Sequence, residues 1–124
     1  MVSTTVEIEL WEDEAGASPV AEFIALLPVE HQEWIAKRND FLERLTWPEL
    51  HLSKYYEKIQ GTAHSLWELK YSGSRAHVYR AICFRWKHQL VTLEIFAGSG
   101  SSGNVLRHVP VAAARAENWK VRNP

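Results

Sequence analysis

Cys83 is the only cysteine in the 124 residues, which excludes an internal disulfide and any cysteine-based zinc cluster. No stretch approaches the ~18 consecutive apolar residues of a membrane-spanning helix. The acidic opening "MVSTTVEIELWEDE" lacks the basic and apolar character of a secretory leader. A soluble cytoplasmic protein is therefore expected. Metal-ligand spacing is missing as well. The six histidines (His31, His51, His64, His77, His88 and His108) form no H-x-x-x-H or comparable pair, so neither a metal nor another cofactor is expected.

Positive charge is missing from one end. Residues 1–36 contain eight Asp/Glu and no Lys/Arg, whereas residues 37–124 contain fourteen Lys/Arg against seven Asp/Glu, a net of +7. The overall charge of −1 hides this asymmetry. A basic remainder suits a polyanionic partner such as RNA; an ordinary solvated surface has the same composition. What is present otherwise is globular, with 46% apolar and 23% charged residues and six tryptophans. A single domain over residues 1–124 is expected, large enough to bury about two thirds of its unfolded surface.

The pattern along the chain predicts an α+β fold. "TVEIELW" alternates Val6, Ile8 and Leu10 against Glu7 and Glu9, as a half-buried strand does. In "GASPVAEFIALLP", Ser18 is an N-cap and Pro19 a first helical residue, and Val20, Phe23, Ile24 and Leu27 recur at helical spacing. Pro28 ends that helix and opens a second, expected to run to about Thr46 and to be closed by Trp47-Pro48. Together they predict a helical hairpin over residues 18–46, packed on one face of a sheet. Strands near 65–71, 76–86 and 89–96 follow. The short links "SGSR" and "KH" make them an antiparallel meander. Pro110 is placed to start a short Ala-rich C-terminal helix.

Glycine is scarce, with six residues, yet three fall in Gly98-Ser99-Gly100-Ser101-Ser102-Gly103. This is a literal G-x-G-x-x-G, but only 21 residues remain after Gly103, too few for the second parallel strand of a dinucleotide fold. A phosphate loop fails too, because Asn104 stands where its lysine belongs. The run is expected to be a loop leaving the last strand.

Leu66-Trp67-Glu68-Leu69-Lys70 and, across a glycine-containing turn, Tyr79-Arg80 resemble the RelE/ParE toxin superfamily, most closely its phage-derived HigB-like branch. There, a Leu-Trp-Glu-Leu-Arg strand leads to a Tyr-Arg-rich strand. "SPVAEFIALLP", "EKIQG" and "FRWKHQLVTLEIF" are similar to that branch's first helix, its approach to the sheet and its third and fourth strands. The likeness covers about residues 17–119. It implies a RelE-like fold and a toxin of a type II toxin-antitoxin system that cleaves mRNA on the ribosome without a metal. Its partners would be the ribosome, mRNA and a cognate antitoxin, expected to be a helix-turn-helix protein through which alone it would meet DNA; no membrane is involved. The superfamily also hosts non-catalytic toxins, so a ParE-like gyrase inhibitor or an attenuated toxin that binds only its antitoxin is the alternative.

In such cleavage the 2′-hydroxyl attacks the adjacent phosphate, which needs a proton acceptor, cations and a proton donor. Arg80 matches the family's strand arginine and would grip the phosphate; a salt bridge with Glu68 or Glu94 is its structural alternative. Lys70 occupies the family's arginine position and would hold the RNA backbone. Glu68 is a candidate base, or a carboxylate that orients Arg80. Lys58 and Arg75, expected in loops at the sheet margin, are candidate phosphate contacts. Phe84 is a candidate stacking platform for a base, or a core aromatic. Cys83 is expected to be a buried thiol.

Strand alternation predicts Trp67, Leu69 and Tyr71 on one face, and Val91, Leu93 and Ile95 on an apolar face of the last strand. Glu68 and Lys70, then Thr92 and Glu94, have the opposite parity, joined in matching register by Arg80, Ile82 and Phe84. One departure stands out. The HigB-like branch carries consecutive lysines after the last strand, where residues 97–104 here have no basic residue. Basic groups return at Arg107, His108 and Arg115. Either these take over, with His108 as the acid–base group and Arg107 and Arg115 binding RNA, or the nuclease is weakened or lost, or the run is a deliberate replacement that removes toxicity.

Overall fold

The computed structural model describes residues 4–73, 77–98 and 103–124. Among these, the elements in chain order are β1 (Glu7–Leu10), α1 (Pro19–Ala25), α2 (Val29–Leu42), α3 (Trp47–Leu52), β2 (Tyr56–Lys58), β3 (Trp67–Ser72), β4 (Val78–Trp86), β5 (Gln89–Ala97) and α4 (Gly103–Arg122). The fold is α+β, with a five-stranded sheet in the order β1-β5-β4-β3-β2. The expected meander is present, since β3 pairs antiparallel with β4 and β4 with β5. The sheet is nevertheless mixed, because β1 lies parallel to β5. No described helix is long and apolar enough to cross a membrane.

Helices cover both faces. Val20, Ile35 and Leu42 pack with Leu69, Tyr71, Ala81 and Cys83 on one side. On the other, α4 lays Val105, Val109, Ala112 and Ala116 against Ile82, Phe84, Val91 and Leu93. The predicted helical hairpin is found, and the Ser18 hydroxyl accepts from the Ala21 N–H at 3.2 Å ahead of Pro19. The central strands β3, β4 and β5 are thus covered on both faces.

Four expectations need correction. The second helix stops at Leu42 rather than near Thr46. Thr46 instead caps a new helix: its hydroxyl accepts from the Glu49 N–H while the Glu49 carboxylate accepts from the Thr46 N–H, a reciprocal capping box with Pro48 in the first turn. Secondly, Tyr56–Lys58 adds an edge strand beside β3, so Lys58 sits on a strand rather than in a loop. Thirdly, the C-terminal helix is 20 residues long, and Pro110 lies inside it. An interior proline costs about 3 kcal/mol. Burial of Val105 and Val109, at 1% and 6% exposure, returns roughly 1.5–3 kcal/mol each, so packing wins.

The fourth correction concerns faces. Ile82 pairs with Glu94 but Cys83 pairs with Thr92, so Leu93 is an extra residue in β5. This bulge resets the alternation. Val91, Leu93 and Glu94 all face α4, with Arg80, Ile82 and Phe84, whereas Thr92 turns toward the hairpin side with Cys83 and Leu90.

Candidate functional site

The α4 side of the sheet carries two rows of cross-strand neighbours. Lys70 on β3 stands opposite Arg80 on β4, and Arg80 opposite Phe96 on β5. One step along, Glu57, Glu68, Ile82 and Glu94 run across β2 to β5 in the same way. Because α4 rises over the sheet from the end of β5, the first row lies beside its N-terminal turns. There the His108 ring stacks on Phe96, with centroids 3.9 Å apart and planes 3° from parallel.

Each charged group in these rows is held. Arg80 donates from Nη1 to Glu68 Oε1 and from Nε to the Gly98 carbonyl at 3.3 Å. Both partners of the ion pair are largely buried, at 13% and 7% side-chain exposure, so they act as each other's counter-ion. Lys70 reaches the other way, to Glu57 at 3.0 Å, and is one third exposed. His108 Nδ1 lies 3.4 Å from Glu94 Oε2, and the other oxygen of Glu94 is 3.4 Å from Arg115 Nη1. That contact turns Nδ1 of the His108 imidazole toward the Glu94 carboxylate. With Nδ1 turned to the carboxylate, Nε2 is left for chemistry.

Beside Glu68 opens a cleft of about 140 Å³, lined by Glu57, Lys58, Ile59, Gln60, Val105 and Leu106. Lys58 is exposed at its rim. Arg107 is exposed on the first turns of α4. Arg75 lies outside the described residues, as do residues 99–102 of the glycine run. Gly98 is described: its N–H donates to the Val78 carbonyl at 2.9 Å. A Cβ there would come within 3.2 Å of Phe96 and 3.3 Å of Arg80.

The fold thus brings Glu68, Lys70, Arg80, His108 and Lys58 to one region. Two other candidates fall elsewhere in role. Phe84 is 5% exposed inside the core beneath α4, so its ring offers no face to a base. Arg115 donates to the Leu93 carbonyl at 2.7 Å and lies over the Trp11 ring at 4.9 Å. It pins α4 to β5, a structural duty. Cys83 is buried, and burial together with the Glu68 charge pushes its thiol well above the usual range, away from the reactive thiolate. Sequence alternation gave no sign of Phe96 as a platform or of Glu94 as the orienting group, because both depend on the bulge and on the pitch of α4. Among the described residues no group of three or more His, Cys, Asp or Glu side chains could hold a metal ion. Comparison with protein-family models, with curated proteins and with solved structures finds no match to the chain.

Proposed function

We propose that this chain is a RelE-like toxin of the HigB type, a metal-independent, ribosome-dependent mRNA endonuclease of a type II toxin-antitoxin system. The observation that supports this most is the row Lys70–Arg80–Phe96 capped by His108. It sets two cations and one oriented imidazole on one rim, which is the set of groups that internal phosphodiester cleavage requires. His108 Nε2 takes the proton of the 2′-hydroxyl as the O2′–P bond forms. Arg80 and Lys70 stabilise the extra negative charge at phosphorus. As the P–O5′ bond breaks, the Lys70 ammonium returns a proton to the leaving oxygen, a task a guanidinium cannot share because it does not release its protons. The products are a 2′,3′-cyclic phosphate and a 5′-hydroxyl end.

A second reading has its own support. Arg80 and Lys70 already pair with Glu68 and Glu57, and residues 97–104 carry no lysine or arginine. Both facts favour a non-catalytic toxin, either a ParE-like gyrase inhibitor or a protein that only binds its antitoxin. Primer extension on a translated mRNA after brief induction separates the two. Translation-dependent cuts are expected, and His108→Gln should remove them, since one acid–base group contributes about 10²- to 10⁴-fold. Intact mRNA with stalled replication would replace the nuclease by gyrase inhibition.

A further inference from the structure

Tyr55, just before β2, is the centre of a second constellation, on the opposite side of the β2–β3 edge from the candidate nuclease site. The Arg38 guanidinium lies over the Tyr55 ring at 3.6 Å from its centroid, and the Lys54 ammonium lies at 5.5 Å. Phe41 stands edge-on to the same ring, with centroids 6.0 Å apart and planes at 87°. Phe41 is 44% exposed, unusual for a phenylalanine with a core so close. Lys37 precedes Phe41 by one helical turn, so it shares that face of α2.

The place combines three properties. Lys37, Arg38 and Lys54 form no ion pair among the described residues, as is also true of Arg44, Lys58, Arg85, Lys87, Arg107 and Arg122. The cations alternate with aromatic rings rather than clustering alone, as in surfaces that grip a backbone while bases stack. The shelf is also wired to the candidate site through one residue. Arg38 Nη1 donates to the Lys70 carbonyl at 2.9 Å, and the Lys70 N–H donates to the Tyr55 carbonyl at 3.1 Å. The backbone of Lys70 is therefore held by the shelf while its side chain serves the other face.

We infer that Lys37, Arg38, Phe41, Lys54 and Tyr55 form a docking shelf for single-stranded RNA, which continues around the sheet edge from the site of Lys70 and Arg80. The exposed Phe41 ring and the outer plane of the Arg38 guanidinium take splayed bases, and Lys37 and Lys54 take phosphates. The choice of RNA rests on the proposed nuclease; the stacking shelf stands on its own geometry. A double helix would gain the charge contacts but not the stacking, because its bases are not free.

Fluorescence anisotropy with a single-stranded RNA of about twelve nucleotides, a length within the usual reach of such surfaces, tests this without ribosomes. Phe41→Ala, at an exposed position, should weaken binding by about tenfold at an unchanged salt slope, in line with the loss of one stacked base, and Tyr55→Leu should do the same by removing the ring that holds the Arg38 guanidinium in its stacking plane. Lys37→Gln and Lys54→Gln should each lower the salt slope by about 0.7. His108→Gln should leave binding intact, so that loss of cleavage and loss of docking are read separately. Unchanged affinity in both aromatic variants would overturn the shelf. So would equal affinity for a duplex of the same composition. Competition by polyglutamate as effective as by RNA would assign the patch to an acidic protein segment instead.

Discussion

Arg80 and Glu68 form their ion pair on a diagonal of the sheet. Glu68 stands opposite Ile82, and Arg80 lies two residues along β4, on the same face. Diagonal neighbours are within reach of a long side chain, and the cover of α4 removes most of the solvent that would screen the pair.

Removal of Arg80 alone is therefore a poor probe of function. It leaves Glu68 buried without a counter-ion, and Arg80→Ala should lose roughly 3 kcal/mol of stability. The paired change Arg80→Met with Glu68→Leu should restore most of that loss in urea melts, because an apolar pair of similar volume replaces both charges. Growth inhibition should stay absent in the double variant. Full toxicity in a stable double variant would remove Arg80 from the site.

The capping box gives an acid-side prediction. Hydrogen bonds from the Thr46 backbone N–H, then from its hydroxyl, hold the Glu49 carboxyl below its ordinary value of 4.5. The charged form is the one the fold favours. Its contribution is present above the unfolded value and fades as pH falls through the lower folded value. Glu49→Gln should thus weaken the protein at pH 7 and converge with wild type in strong acid. Thr46→Ala should cost about 1 kcal/mol at pH 7. Parallel urea melts at both pH values measure this.

Glu9 on β1 should behave in the opposite sense. Burial first, then the hydrogen bond and charge of Glu7 and the charges of Glu43 and Glu12, raise its carboxyl above 4.5. The fold favours the protonated form, so the penalty is absent below 4.5 and grows as pH rises through the folded value. Glu9→Gln should raise the thermal midpoint at pH 7 and leave it unchanged near pH 4. An equal gain at both pH values would mean the gain has no electrostatic origin.

The glycine run is open to direct repair. Gly98 is a poor place for a lysine, because a side chain there meets Arg80 and Phe96. Ser99→Lys with Ser101→Lys adds positive charge while leaving Gly98 in place. Two added phosphate contacts should steepen the salt dependence of RNA binding by about 1.4. A rise in cleavage as well would identify the present run as an attenuated catalytic element. An unchanged salt slope would mean these positions face away from RNA.

The elements of this protein were legible wherever one local rule decides. Ser18-Pro19 starts α1, Pro28 separates α1 from α2, and the two residues between Trp86 and Gln89 turn a hairpin. Such signals act over four residues or fewer, and the chain states them directly. Pro48 suits a helix start as well as a stop, and the Thr46–Glu49 capping box makes it a start. Among the site residues, Glu68, Lys70 and Arg80 were marked by the family resemblance and His108 by its place after the glycine run, and the described fold sets all four on the α4 side.

Contacts between distant segments settled the rest. The parallel docking of β1 on β5, the extra residue Leu93, and the extension of α4 through Pro110 each depend on packing against elements far away in sequence. The same holds for the partners that give the charges meaning: Glu94 and Phe96 for His108, Glu68 for Arg80, and Tyr55 for Arg38. Alternation assigns a side chain to a face only until a bulge reverses it. Neither residue type nor spacing records which charge a folded chain will place beside which, because that is set by the register of strands and the pitch of a helix crossing them.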